Sequence, residues 1–237
     1  FLTGTRQCQK KFKIIRRRTV MKKLASILAA VLMLGLMIVP VASAATIKAQ
    51  LPVIFVSAGQ SGGVYVTDAL CVRAGIPADW SDAPTGDQLA SGVGLPAYNA
   101  NDPKVLPVQI DVKSTAAKGT PYKTIVFVMG ASLKGMGASG LTVDTEVARI
   151  QSNIDWAKKN NVTIIGMHVE GKSLRGKPGS DNETIIDAVL PSCQMIIATE
   201  GSNHDGKFTD YAAANNIPCE VVKNTTALVP VLQAIFQ

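Results

Sequence analysis

The sequence predicts an α/β fold: a three-layer Rossmann-like or flavodoxin-like domain, with a mainly parallel sheet of five to six strands and helices on both faces. Three observations carry this. Short apolar runs rich in Val, Ile and Phe recur from residue 51 onward, without the polar alternation of a half-exposed sheet, so both faces of each strand are covered. Segments with helical spacing and capping residues separate these runs. Strands joined by helices need crossover connections, and crossovers place neighbouring strands parallel.

Leu51 to Ser57 (LPVIFVS) reads as the first strand. The loop Ala58-Gly59-Gln60-Ser61-Gly62-Gly63 leads into a helix from about Val64 to Ala74, which Gly75 stops ahead of Ile76-Pro77. Residues 78–104 are rich in Asp, Pro, Gly and Asn and keep neither period, so they read as an irregular insertion that Trp80, Leu89, Leu95 and Tyr98 pack down. Val105 to Val112 reads as the second strand. Thr124 to Met129 (TIVFVM) is the third and runs into a glycine- and serine-rich loop, Gly130 to Gly140.

Thr142 then caps a helix whose first turn holds Asp144 and Glu146 and whose last turn holds Lys158 and Lys159. Val143, Val147, Ile150, Ile154 and Ala157 form its apolar face. Val162 to His168 is the fourth strand, and Ser180 with Glu183 forms an S-x-x-E capping box for a helix that Pro191 ends. Gln194 to Thr199 is the fifth strand, Asp205 caps a helix through Ala214, and Cys219 to Val222 is the sixth strand. A last helix starts near Thr226, with Leu228, Leu232 and Ile235 on one side. The irregular second connection favours a flavodoxin-like order, 2-1-3-4-5 with the sixth strand beyond, over 3-2-1-4-5.

The net charge of +7 belongs to the leader. The first 44 residues hold nine of the 24 basic residues and no acid, which leaves 15 basic against 17 acidic residues in the remainder and removes the case for nucleic-acid binding. From Met21, Lys22 and Lys23 precede an apolar run to Val39 and an Ala42-Ser43-Ala44 cleavage site, the pattern of a secretory signal peptide. Residues 21–44 are therefore expected to be removed, leaving no membrane span and an extracytoplasmic protein: secreted, periplasmic or on the cell surface. Residues 1–20 read as translated sequence upstream of the start, and 45–237 as one domain. An oxidising compartment permits a disulfide, and Cys193 and Cys219 can bridge if their strands are neighbours; buried free thiols are the competing reading. Without metal-type Cys spacing, no metal is expected, and no cofactor either.

Ligands of open parallel sheets bind beyond the carboxyl ends of the strands, where successive crossovers leave for opposite faces. In the favoured order that point lies between strands one and three. The candidate ligand-binding residues are therefore Ser57, Gly59, Gln60, Ser61 and Gly62 from the first loop, and Gly130, Ser132, Lys134, Gly135 and Gly137 from the third-strand loop. His168, Glu170, Lys172 and Arg175 join them from the fourth-strand loop. Glycines bring backbone N–H groups to an anion, and the cations would neutralise it. Gly135 to Gly140 matches G-x-G-x-x-G literally, but it stands several residues after the strand and lacks the expected acid about 20 residues on, so the match is a coincidence.

Both histidines fall at the carboxyl edge, so His168 or His204 with Glu170, Glu200 or Asp205 would serve a hydrolase or transferase as acid and base. No G-x-S-x-G nucleophile elbow is present. Three readings follow: a binding module for a small anionic or polar ligand, an enzyme, or an accessory protein whose cleft takes a partner chain.

The segments SAGQSGG, GASLKGMGASGL with its VDTEVARI helix, IGMHVEGKSLRG and EGSNHDGKFT resemble an uncharacterised family of secreted bacterial proteins of unknown function. The resemblance covers most of residues 51–237, and the longer stretch at 78–104 departs from it. It implies a signal peptide followed by one Rossmann-like domain, and no activity.

Overall fold

Six strands, β1 (Val53–Ala58), β2 (Ala78–Ser81), β3 (Thr124–Met129), β4 (Thr163–His168), β5 (Met195–Thr199) and β6 (Cys219–Val222), lie parallel in the order β2-β1-β3-β4-β5-β6. This is a computed structural model, and it describes residues 47–93 and 116–236. Every residue of β1, β3 and β5 is buried, which is why their sequences show no polar alternation.

Helices cover both faces. On one, α1 (Gly63–Ala74) packs beside the C-terminal α7 (Leu228–Phe236), over Val53, Phe55, Val126, Val128, Ile165 and Ile197. The other face carries α4 (Val143–Lys159), α5 (Asp181–Val189) and α6 (Lys207–Asn215), over Ile54, Val56, Ile125, Phe127, Ile164 and Ile196. Two short helices, α2 (Gly86–Ala90) and α3 (Leu133–Ala138), pack against α4 and bury Leu89 and Met136 in the core on that face. Because α1 leaves β1 on one face and α4 follows β3 on the other, the crossovers diverge between β1 and β3. That is the predicted switch point.

The second strand differs from expectation. Residues 105–112 lie outside the described residues, and β2 is Ala78-Asp79-Trp80-Ser81, inside the stretch expected to be irregular. An acid and a serine hid it. Asp79 is buried because it accepts the Tyr122 hydroxyl at 2.8 Å, and Trp80 packs edge-on to Tyr65 at 4.9 Å between ring centroids. An edge strand needs only one neighbour, so four residues suffice.

The loop after β3 also differs, because it contains α3. Ser132 caps this helix by accepting the Gly135 N–H at 3.1 Å. The S-x-x-E box at α5 does not form: Ser180 is the N-cap residue but its hydroxyl caps nothing, and Glu183 turns instead to Arg175. The α4 cap holds, with Thr142 and Thr145 exchanging backbone-to-side-chain hydrogen bonds. Cys193 and Cys219 are free thiols although β5 and β6 are neighbours. Burial pushes Cys193 up to about 12 and Cys219 up to about 11, so neither is a nucleophile at neutral pH.

Candidate functional site

The loops after β1 and β3 are zipped together along their backbones. Gly130 N–H donates to the Ala58 carbonyl at 2.9 Å and Ser132 N–H to the Gly59 carbonyl at 2.7 Å, with a further bridge between Gln60 and Ala131. The approach is so close that a Cβ on Gly59 would sit 2.4 Å from the Gly130 oxygen, at a φ of 102° that only glycine adopts freely. A Cβ on Gly135 would meet the Gln60 oxygen at 2.4 Å. Gly59 and Gly135 are thus glycines because two backbones touch. Helix α4 clamps this pair of loops from below. Glu146, fully buried, accepts the Gly59 N–H at 2.8 Å and pairs with Arg149 at 2.6 Å; Arg149 in turn donates to the Ser57 carbonyl at 2.7 Å. From the side, Asn182 accepts the Ala131 N–H at 2.8 Å.

Beside this zipped pair, three loops converge on one spot. A point one Cβ bond from Gly130 lies 2.8 Å from the Ser61 hydroxyl oxygen, 2.9 Å from Glu170 Oε2 and 3.0 Å from a methyl of Leu174. The corresponding points on Gly63 and Gly62 lie 3.0 Å from Glu170 Oε2 and 3.8 Å from Oε1. The carboxylate of the β4 loop therefore reaches across β3 to the start of α1, and any side chain at Gly63 or Gly130 would displace it. Ser61 Oγ and Glu170 Oε2 are both buried and neither has a hydrogen-bond partner. Ser57 Oγ, on β1 below them, is buried and unpartnered as well. Buried polar atoms are nearly always paired, so this is one of the places where the fold leaves bonding capacity unused, as it also does at Ser81, Asn153 and Ser180. Gly62 beside the spot is exposed and Glu170 is half-buried, whereas Ser61 Oγ and Glu170 Oε2 themselves are out of contact with solvent.

His168, expected as an acid or base, is committed to structure. Its Nε2 lies 3.1 Å from the Leu174 carbonyl and its Nδ1 2.8 Å from Ser202 Oγ. A carbonyl can only accept, so Nε2 carries the proton and Nδ1 accepts from the serine. Ser202 Oγ is itself filled, by Gly171 N–H at 3.1 Å and the Thr199 hydroxyl at 2.8 Å. Burial holds His168 down at about 4, against the opposing pull of the Leu174 carbonyl. A base whose folded value lies below its ordinary 6.5 takes up its proton first in the unfolded chain. Stability is therefore expected to be lost as pH falls from about 6.5 towards 4. Denaturant titrations at several pH values across that window would show the slope, and His168→Gln should flatten it. A wild-type curve that stays level would contradict this assignment.

Arg175, expected to bind an anion, is also spent internally. It is buried beneath α6, bonded to Glu183 at 2.7 Å, to Asp205 at 2.8 Å and to the Ser202 carbonyl, with its guanidinium 5.0 Å from the Phe208 ring centre. Two carboxylates already neutralise it. The Asp205 carboxylate, which would have oriented His204, also accepts Lys207 N–H at the start of α6. Gln60 is equally engaged, donating to the Asp82 carbonyl at 2.6 Å, with Ser139 donating to it at 3.4 Å. Lys134, Gly137, Lys172, Glu200 and His204 are exposed, and no contact draws them to the spot shared by Ser61, Gly62, Gly130 and Glu170.

Sequence reasoning missed Gly63, Glu146, Arg149 and Asn182. The signal for the first pair of charges was present: an acid and an arginine three apart on the face that also carries Ile150. Among the described residues, no three His, Cys, Asp or Glu side chains are grouped to hold a metal, and no helix is long and apolar enough to cross a membrane.

The chain belongs to the family of the domain of unknown function DUF6305, whose model matches residues 50–236. No curated protein matches it. One solved structure, of a Bacteroides fragilis protein proposed to be an acylhydrolase, shares 14% identity over 76% of this chain and 72% of its own, with a TM-score of 0.31. So faint a likeness carries no argument about chemistry.

Proposed function

We propose that this domain, whose family has no assigned activity, is an extracytoplasmic binding module for a small polar ligand held at the carboxyl ends of β1, β3 and β4. The observation behind this reading is the pair of buried, unpartnered atoms, Ser61 Oγ and Glu170 Oε2, that face one spot between three glycines. Leaving both unused costs stability, and a ligand that bonds to them recovers it. The leader from Met21 to Ala44 is the support for the compartment. A purely anionic ligand fits poorly, since the Glu170 carboxylate already stands at Gly62 and Gly63. The enzyme reading loses its general base in His168, both of whose ring nitrogens are engaged.

Thermal-shift screening of the purified protein against small polar metabolites tests the proposal. A ligand at about 100 times its Kd adds about 2.7 kcal/mol to the folded state, a rise that Ser61→Ala and Glu170→Gln should each reduce. A library that leaves the melting temperature unmoved, or a shift that is the same size in both variants as in wild type, would refute the site.

A further inference from the structure

We infer that the group received by Ser61 and Glu170 is a primary ammonium, so that the ligand is a small amine; this rests on the binding reading above. Charge is the first argument. Among the described residues Glu170 has no ion-pair partner, while the buried cations nearby are already matched, Arg149 by Glu146 and Arg175 by Glu183 and Asp205. The start of α1 contributes a partial charge of only about +0.5, and no backbone N–H of that turn donates to Glu170 Oε2, which has no partner at all. The spot is left net negative.

Donor and acceptor count is the second. Both unused atoms accept: a carboxylate oxygen accepts only, and the Ser61 hydroxyl can accept while donating elsewhere. A ligand group that serves both must bring at least two N–H or O–H donors, and an ammonium brings three. A divalent cation such as Ca²⁺ needs six to eight oxygen ligands. Ser61 and Glu170 supply three, and the neighbouring Ser57 and Ala58 carbonyls are taken by Arg149 and Gly130 N–H.

Size is the third. A Cβ at Gly63 or Gly130 would lie within 3.0 Å of Glu170 Oε2, a clash for carbon but the ordinary hydrogen-bonding distance of an N–H donor. Both atoms are closed off from solvent, so the Glu170 side chain must swing aside for a head group to enter, and an unmethylated ammonium needs the smallest movement.

The test is a thermal-shift and calorimetric series on the purified protein with methylammonium, 1,4-diaminobutane and glucosamine, set against tetramethylammonium, sodium acetate and glycerol. The primary amines should raise the melting temperature and tetramethylammonium should not. Glu170→Gln should weaken amine binding at least tenfold and Ser61→Ala several-fold, while Lys134→Ala leaves it unchanged. Each variant is first checked for a wild-type melting temperature without ligand, and Glu170→Asp, which keeps the charge but shortens the reach, should bind more weakly than wild type and better than Glu170→Gln. Amine shifts equal in wild type and Glu170→Gln overturn the inference. Binding of glycerol alone, lost in Ser61→Ala, overturns the ammonium but leaves the polar-ligand site standing. A flat response to every probe removes the ammonium inference, and the binding reading then falls only if the wider screen of polar metabolites is flat as well.

Discussion

Arg175→Ala is expected to destabilise the protein by about 3–5 kcal/mol, because it breaks a buried ion pair from one side only. The guanidinium is almost wholly out of water, as is the carboxylate of Glu183 that faces it at 2.7 Å. Without it, Glu183 keeps only Lys207 at 2.6 Å and the Gly176 N–H at 3.1 Å, and the Ser202 carbonyl loses its charged donor. The consequence is larger than the loss of a surface pair, worth about 0–1 kcal/mol, because the carboxylate cannot turn to solvent. Acid titration gives an independent check. Burial raises the Glu183 carboxyl, but the bonds from Arg175, Lys207 and Gly176 more than reverse this and hold it at about 2. A carboxyl depressed below its ordinary 4.5 contributes stability above that pH, and this contribution is lost as pH falls from about 4.5 towards 2. In Arg175→Ala that acid step should shrink. Urea unfolding at pH 7 and pH 3 measures both. A cost under about 1 kcal/mol at pH 7 would show that the pair is solvated.

The same arginine shows where reading the sequence ends. Strand positions were legible because burial on both faces leaves unbroken apolar runs, as in TIVFVM, and the order of β1, β3, β4, β5 and β6 followed from the helices between them. β2 was not legible. Asp79 and Ser81 read as loop residues, and the distant Tyr122, invisible in the local sequence, donates its hydroxyl to the buried aspartate. The site was half legible for a related reason. Glycines after β1 and β3 mark the switch point, but spacing cannot say which glycines face a ligand and which let two backbones touch. Gly130 faces the Ser61 and Glu170 side chains and also touches the Gly59 backbone, whereas Gly59 and Gly135 are fixed by backbone contact. Charged residues in loops are harder still. Arg175 and Glu170 lie five apart in one loop, yet one is neutralised by residues far along the chain and the other is left bare. A histidine at a strand end reads as chemistry until its two nitrogens are seen to be taken by Leu174 and Ser202.

Glu146→Ala should be as damaging, again by about 3–5 kcal/mol, and its effect should reach the binding spot. Glu146 is completely buried, and its loss strands two groups at once: the Arg149 guanidinium, whose remaining partners are the Ser57 and Pro84 carbonyls, and the Gly59 N–H. Gly59 and Gln60 both hold positive φ, at 102° and 59°, so this turn is not one the chain would adopt unaided. The hydrogen bond from Gly59 to Glu146 is one of the contacts that keep it, and Ser61 is carried on the next residue but one. Glu146→Gln keeps an acceptor for Gly59 but not the charge opposite Arg149, so it should fall between wild type and alanine in stability. If the clamp positions Ser61, Glu146→Gln should also weaken any ligand that Ser61→Ala weakens, although residue 146 lies beneath the loop rather than at the spot. Chemical denaturation gives the first quantity and calorimetric titration the second. A Glu146→Gln protein that is less stable yet binds as tightly as wild type would show that the β1 loop keeps its shape without the buried carboxylate, and that α4 supports the fold but not the site.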